Sequence, residues 1–91
     1  MVTAVLLLSV ERKHINQVAE ELAAIQGFSD VYSVSGSYDI AAIVKVENND
    51  ELSNLVTQKL VHIDHIVNTE TMLAFKTYAN DDLGSMFNIG F

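Results

Sequence analysis

Apolar residues recur along this chain with two periods, and the changes of period mark out its elements. From Thr3 to Val10 the sequence is nearly continuous aliphatic, with Val5 and Leu7 on one side of a strand and Ala4, Leu6, Leu8 and Val10 on the other. Side chains alternate across a strand, so a run that is apolar on both sides needs cover on both. From Lys13 to Gln26 the period lengthens. Ile15, Val18, Ala19, Leu22 and Ile25 follow helical spacing, while Asn16, Gln17, Glu20 and Glu21 take the opposite face. Gly27 lies just beyond, as a stop. Phe28 to Ser35 alternates less cleanly, in the manner of an edge strand. Gly36, flanked by small polar residues, predicts a hairpin turn. Tyr38 to Val46 returns as a strand, with Ile40, Ala42, Val44 and Val46 on one face and Ala41 and Ile43 on the other. Asn48 then opens a second helix. Glu51, three residues on, completes a capping box, and with Asp50 it suits the positive end of the helix dipole. Leu52, Leu55, Val56, Leu60 and Ile63 form its apolar stripe, and the helix is expected to fade near Val61. Ile66 to Tyr78 reads as a last strand whose first half is polar on both faces, which fits an edge or a pocket wall.

The order is strand, helix, strand, strand, helix, strand: two βαβ halves joined at the Gly36 hairpin. Right-handed crossovers then give an α+β, ferredoxin-like fold: a four-stranded antiparallel sheet in order 4-1-3-2 with both helices on one face. That order requires strands one and three to be central. They are the two runs with apolar residues on both sides, and the more polar pair fall at the edges. One face of the sheet stays open, yet the central strands put aliphatic side chains on it. A lone subunit would expose a large apolar patch, so the fold implies a homodimer. Residues 1–79 are expected to form this domain. Residues 80–91 form a tail in which Leu83, Met86, Phe87, Ile89 and Phe91 are too apolar for solvent and are expected to pack on their own or a neighbouring subunit.

Composition narrows the partners. Ninety-one residues make one small domain, 49% hydrophobic, with no Cys, Pro or Trp and so no disulfide to staple it. Twelve acidic against five basic residues give a formal charge of −7. Arg12 and Lys13 are the one adjacent basic pair. This argues against direct DNA binding, which needs a basic patch, and against an anionic membrane surface. The apolar start lacks a basic flank and is too short to span a bilayer, so a cytoplasmic protein is expected.

Chemistry concentrates at Val34-Ser35-Gly36-Ser37-Tyr38-Asp39-Ile40. Asp39 sits at the mouth of a buried strand. One reading is a turn aspartate bonded to its own backbone; the other is a small-molecule site in which Asp39 meets a cationic group. His62-Ile63-Asp64-His65 carries metal-capable side chains, read here as a polar loop between helix and strand, and His14 reads as a surface residue. No nucleophile elbow or phosphate loop is present, and the paired carboxylates look like helix solvation or capping. No cofactor, metal or catalytic residue is assigned.

A βαββαβ chain with Gly-x-Tyr-Asp at its central hairpin resembles the effector-binding (RAM) module of the Lrp/AsnC feast/famine regulators. The resemblance covers Thr3 to Tyr78, and includes the Gly27-Phe28-Ser29-Asp30-Val31 entry to the second strand. It implies a non-enzymatic amino-acid sensor: dimers through facing sheets, assembled as an octamer or decamer, with effectors held at contacts between dimers. Gly36 would allow close approach, Asp39 would pair with the α-ammonium, and Ser35 and Ser37 would take the carboxylate. Tyr38 would be a pocket wall or dimer contact, with Thr69 and Thr71 as further candidates. The family also implies a helix-turn-helix. The first strand starts at Thr3, so the expectation is a stand-alone module that modulates transcription through full-length relatives.

Two other functions share the strand order. A cofactor-free, monooxygenase-like enzyme on a dimeric barrel needs an internal pocket with a base or aromatic clamp. This chain has no Trp or Cys, and its His residues fall outside the strands. An ACT-type regulatory domain places its effector at the first strand–helix turn, usually with Gly or Pro; here that turn is Glu11-Arg12-Lys13.

Overall fold

The central aliphatic run forms the spine of the sheet. In a computed structural model, which describes residues 1–78, strand β1 (Val2–Val10) pairs on one side with β3 (Ile40–Val46) and on the other with β4 (Ile66–Leu73). Strand β2 (Phe28–Ser33) pairs with the outer side of β3. The order is β2-β3-β1-β4, antiparallel throughout, as expected from the two apolar faces of β1 and β3. Helix α1 (Ile15–Ala23) follows a single 3-10 turn, Arg12–His14, and helix α2 (Asn49–Asn54) follows β3.

Ala4, Leu6, Leu8 and Val10 of β1 and Ile40, Ala42, Val44 and Val46 of β3 are buried with Val18, Leu22, Leu55 and Leu60. Each large member of this core contributes roughly 1.5–3 kcal/mol by leaving water. On the open face Val5 pairs with Ile43 and Met72, and Leu7 pairs with Ala41 and Glu70. Val5, Leu7, Ala41 and Ile43 are only half-covered, and Tyr32 and Met72 are 52% and 42% exposed.

Asn48 caps α2: its side chain accepts from Glu51 N at 2.9 Å, and the Glu51 carboxylate reaches back to Glu47 N at 2.9 Å. The expected box is present, shifted by one residue at its return bond. The helix departs from its expected course after Asn54. Residues Leu55–Lys59 form a π turn and Leu60–His62 a 3-10 turn. Leu55 and Leu60, five apart, would point about 140° away from each other on a regular helix. The wider turn lets both reach the core. Thr57 Oγ1 donates to Ser53 O at 2.7 Å, a bond that competes with regular helix pairing.

Other boundaries are tighter than the hydrophobic pattern suggests. Helix α1 occupies Ile15–Ala23, inside the expected Lys13–Gln26. Strand β4 ends at Leu73 and not at Tyr78: its last ladder pair with β1 is Ala4–Leu73, and one further bond, Ala74 N to Thr3 O at 2.9 Å, closes the pairing. The expected tail of residues 80–91 lies outside the described residues. Among the described residues no helix is long and apolar enough to cross a membrane.

Candidate functional site

An antiparallel sheet of this order gathers one set of strand ends. The end of β1, the β2–β3 hairpin and the start of β4 all lie at one edge of the molecule, and the chemistry-bearing residues lie there too.

The hairpin is built around Asp39. Its N–H donates to Leu8 O at 2.9 Å, and its carbonyl accepts from Val34 N at 2.9 Å. Its carboxylate Oδ2 accepts from Val10 N at 2.9 Å. The β1–β3 ladder ends at the Leu8–Ile40 pair, so the side chain supplies an acceptor where the neighbouring strand has stopped. The Asp39 carboxylate therefore bonds a backbone N–H, but that of Val10, 29 positions away, and not its own turn as the local reading expected. The second carboxylate oxygen has no hydrogen-bond partner among the described residues. Gly36 has φ +115° with nothing within 4 Å of where a Cβ would sit. Glycine is needed there for backbone conformation, not for space.

Asp39 lines an open groove of about 430 Å³ with Ser33, Val34 and Ser35 of the hairpin and Arg12, Lys13, Ile15 and Asn16 of the β1–α1 connection. Two cations, one carboxylate and several small polar groups thus share one concavity of an otherwise acidic chain. Such a set can hold a small zwitterion by both of its charges.

The sequence-derived candidates separate. Ser35 and Asp39 line the groove. Gly36 and Ser37 are exposed at the turn. Tyr38 goes to the open face of the sheet, where its hydroxyl donates to Glu70 Oε1 at 2.5 Å, across the position of β1. That bond to a carboxylate, with some desolvation and the nearby negative charge, raises the Tyr38 pKa above its ordinary value. Thr69 and Thr71 pair with Leu8 and Leu6, on the helix side of β4, and do not line the groove. Arg12, Lys13 and Asn16 were not among the candidates. Their signal was available in the topology, since the turn after β1 and the hairpin before β3 must share one end of the sheet.

A second cluster lies beside the groove. Glu11 N donates to His65 O at 2.9 Å, the Glu11 carboxylate meets His65 Nδ1, and the His14 and His65 rings stack with centroids 3.5 Å apart. Of the His62-Ile63-Asp64-His65 segment, only His65 joins this cluster. His14, expected on the surface, is half-buried.

Comparison with known proteins agrees with this architecture. Residues 3–83 match the family model described as the Lrp/AsnC ligand binding domain. An uncharacterised HTH-type transcriptional regulator of Bacillus subtilis, YugG, is 31% identical over 75 residues, covering 82% of this chain and 44% of that protein. A similar regulator of Pyrococcus furiosus is 38% identical over 61 residues, covering 67% of this chain and 41% of its own length. The chain thus spans less than half the length of these curated relatives. A crystal structure of the Thermus thermophilus protein TTHA0845 superposes with a TM-score of 0.81 at 34% identity, covering 87% of this chain and 99% of that one.

Proposed function

The chain belongs to the Lrp/AsnC ligand-binding domain family, and from that membership we propose that it senses a free amino acid and passes the signal on by changing how its subunits assemble. The relatives are named as transcriptional regulators, which points to regulation rather than catalysis. The observation that carries the amino-acid reading is the groove between the hairpin and the β1–α1 turn. The second oxygen of Asp39 takes the α-ammonium, and Arg12 and Lys13 take the α-carboxylate, with Ser33 and Ser35 supplying hydroxyls. The ligand side chain then points out of the groove, toward whatever subunit lies against it.

The half-covered aliphatic residues of the open sheet face support a dimer through facing sheets, and Tyr38 and Glu70 would be covered in it. The groove lies at the end of the sheet, away from that face, so it can be closed by a second dimer in a ring of four or five. Modulation of transcription would then run through relatives that carry a DNA-binding half.

A panel of the twenty amino acids in a thermal-shift assay tests the reading. Ligand that binds only the folded state stabilises it by about 2.7 kcal/mol at a hundredfold excess over Kd, so at least one amino acid should raise Tm by several degrees and alter the elution volume. If every amino acid leaves both unchanged, the groove is not an effector site.

A further inference from the structure

We propose that Glu11, His14 and His65 form a binding site for a divalent transition ion of the zinc class, distinct from the effector groove. Each residue offers one ligand atom, and these atoms lie within 4.8 Å of one another. Two imidazoles and one carboxylate are the donor set that borderline ions prefer; hard cations such as Ca²⁺ and Mg²⁺ favour all-oxygen sites. A tetrahedral ion with bonds of about 2.0–2.1 Å spaces its donors about 3.3 Å apart. The His14 and His65 rings stack face to face, with centroids 3.5 Å apart and planes within 8° of parallel, so the two side chains lie side by side, and a turn of one ring about its Cβ–Cγ bond brings both in-plane lone pairs toward a shared ion. Glu11 is exposed, so its side chain can rotate to close the remaining distance.

The scaffold holds these residues in place before any ion arrives. Glu11 and His65 are tied through the Glu11 N to His65 O bond, and His14 N donates to Glu11 O at 2.8 Å. His14 Nδ1 lies 3.2 Å from Gln17 Oε1. A proton donated along that contact fixes the tautomer and leaves Nε2 with the lone pair an ion needs, the usual outer-shell arrangement for a ligating histidine. His65 adopts φ 77°, a left-handed conformation that costs free energy for a residue with a Cβ and that the surrounding contacts must enforce. The three protein donors leave a fourth position for water. Arg12 and Lys13 lie between Glu11 and His14 in the chain, so a bound ion would clip the turn that carries the cations of the groove. The ion site stands on its own donors, whether or not the groove takes an amino acid.

The test uses the untagged full chain after treatment with chelator. Titration with CoCl2 should develop the visible absorption of four- or five-coordinate Co²⁺ and saturate at one ion per chain, and ZnCl2 should displace it and raise Tm. His14→Gln and His65→Asn should each abolish the absorption. Asparagine tolerates a left-handed backbone, so the second variant keeps the loop. Glu11→Gln should weaken binding about tenfold or more, and His62→Ala should change nothing. Circular dichroism of each variant confirms that it is folded. Absence of the Co²⁺ bands in the wild type overturns the proposal, and so does their persistence in folded His14→Gln/His65→Asn protein.

Discussion

Asp39 has two tasks in this structure, and two substitutions separate them. One carboxylate oxygen accepts from Val10 N, at a residue only 6% exposed. The other has no partner among the described residues and is the one proposed to meet the ligand. Asp39→Ala removes both. A buried donor left without a partner costs about 1–3 kcal/mol, and because the Asp39 side chain is itself half-covered, water can recover part of that. The expected loss is about 1–2 kcal/mol. For a domain of this size each kcal/mol moves Tm by about 4–8 °C. Asp39→Asn keeps an oxygen for Val10 N and gives up only the charge, so it should cost less than about 1 kcal/mol. Binding should respond differently. The α-ammonium loses its charged partner in both variants, a loss of about 1.5–3 kcal/mol, or roughly ten- to hundredfold in affinity. Urea unfolding at one fixed protomer concentration measures the first effect, and calorimetric titration with the best amino acid of the panel measures the second. Asp39→Ala as stable as the wild type would refute the capping role. Asp39→Asn with unchanged affinity would refute the ammonium pairing while leaving the cap intact.

Further outcomes follow from other parts of the molecule. Tyr38 ionises above its ordinary value of about 10 because Glu70 accepts from its hydroxyl; the phenolate difference titration between wild type and Tyr38→Phe should place that step above 10, and Glu70→Gln should lower it. A raised folded pKa contributes stability that is fully present below the unfolded value of about 10 and is lost as pH rises through the folded one, so removing the pair should lower stability slightly at neutral pH and flatten the alkaline limb of the stability profile. Gly27→Ala combines a φ of +111° with a Cβ 3.0 Å from Leu55 Cδ1 and should cost about 1–3 kcal/mol, more than Gly36→Ala, which meets no neighbour; equal losses would refute the packing component. Leu7→Lys places a charge on the open sheet face and should shift the protein to a smaller species in solution sizing; an unchanged size would exclude that face as an interface.

The fold was legible because β1 and β3 carry apolar residues on both sides, a pattern that marks strands in the middle of a sheet whose two faces are both covered. The irregular second half of the second helix was not: its helical turns do end near Val61, at His62, but helical periodicity assumes a constant 3.6 residues per turn, and the chain satisfies Leu55 and Leu60 by widening the helix. The end of β4 was missed for a different reason: its own alternation continues to Tyr78, but the pairing with β1 closes at Ala74. In both cases the deciding information lies in a neighbouring element, not in the segment itself.

The candidate site shows the same division. Local spacing identified the hairpin, and Ser35 and Asp39 do line the groove. The complementary cations came from Glu11-Arg12-Lys13, a turn set aside on its own because it lacks glycine. Once the strand order is accepted, however, β1 must end where β2 ends and where β3 and β4 begin. The turn after β1, the β2–β3 hairpin and the residues preceding β4 are therefore neighbours by topology, before any side chain is placed. Arg12 and Lys13 share a groove with Asp39, and Glu11 and His14 meet His65, through the same constraint. An acidic chain of this fold can thus carry a locally cationic groove without any basic run in its sequence, and net charge alone is a poor guide to what such a groove can bind.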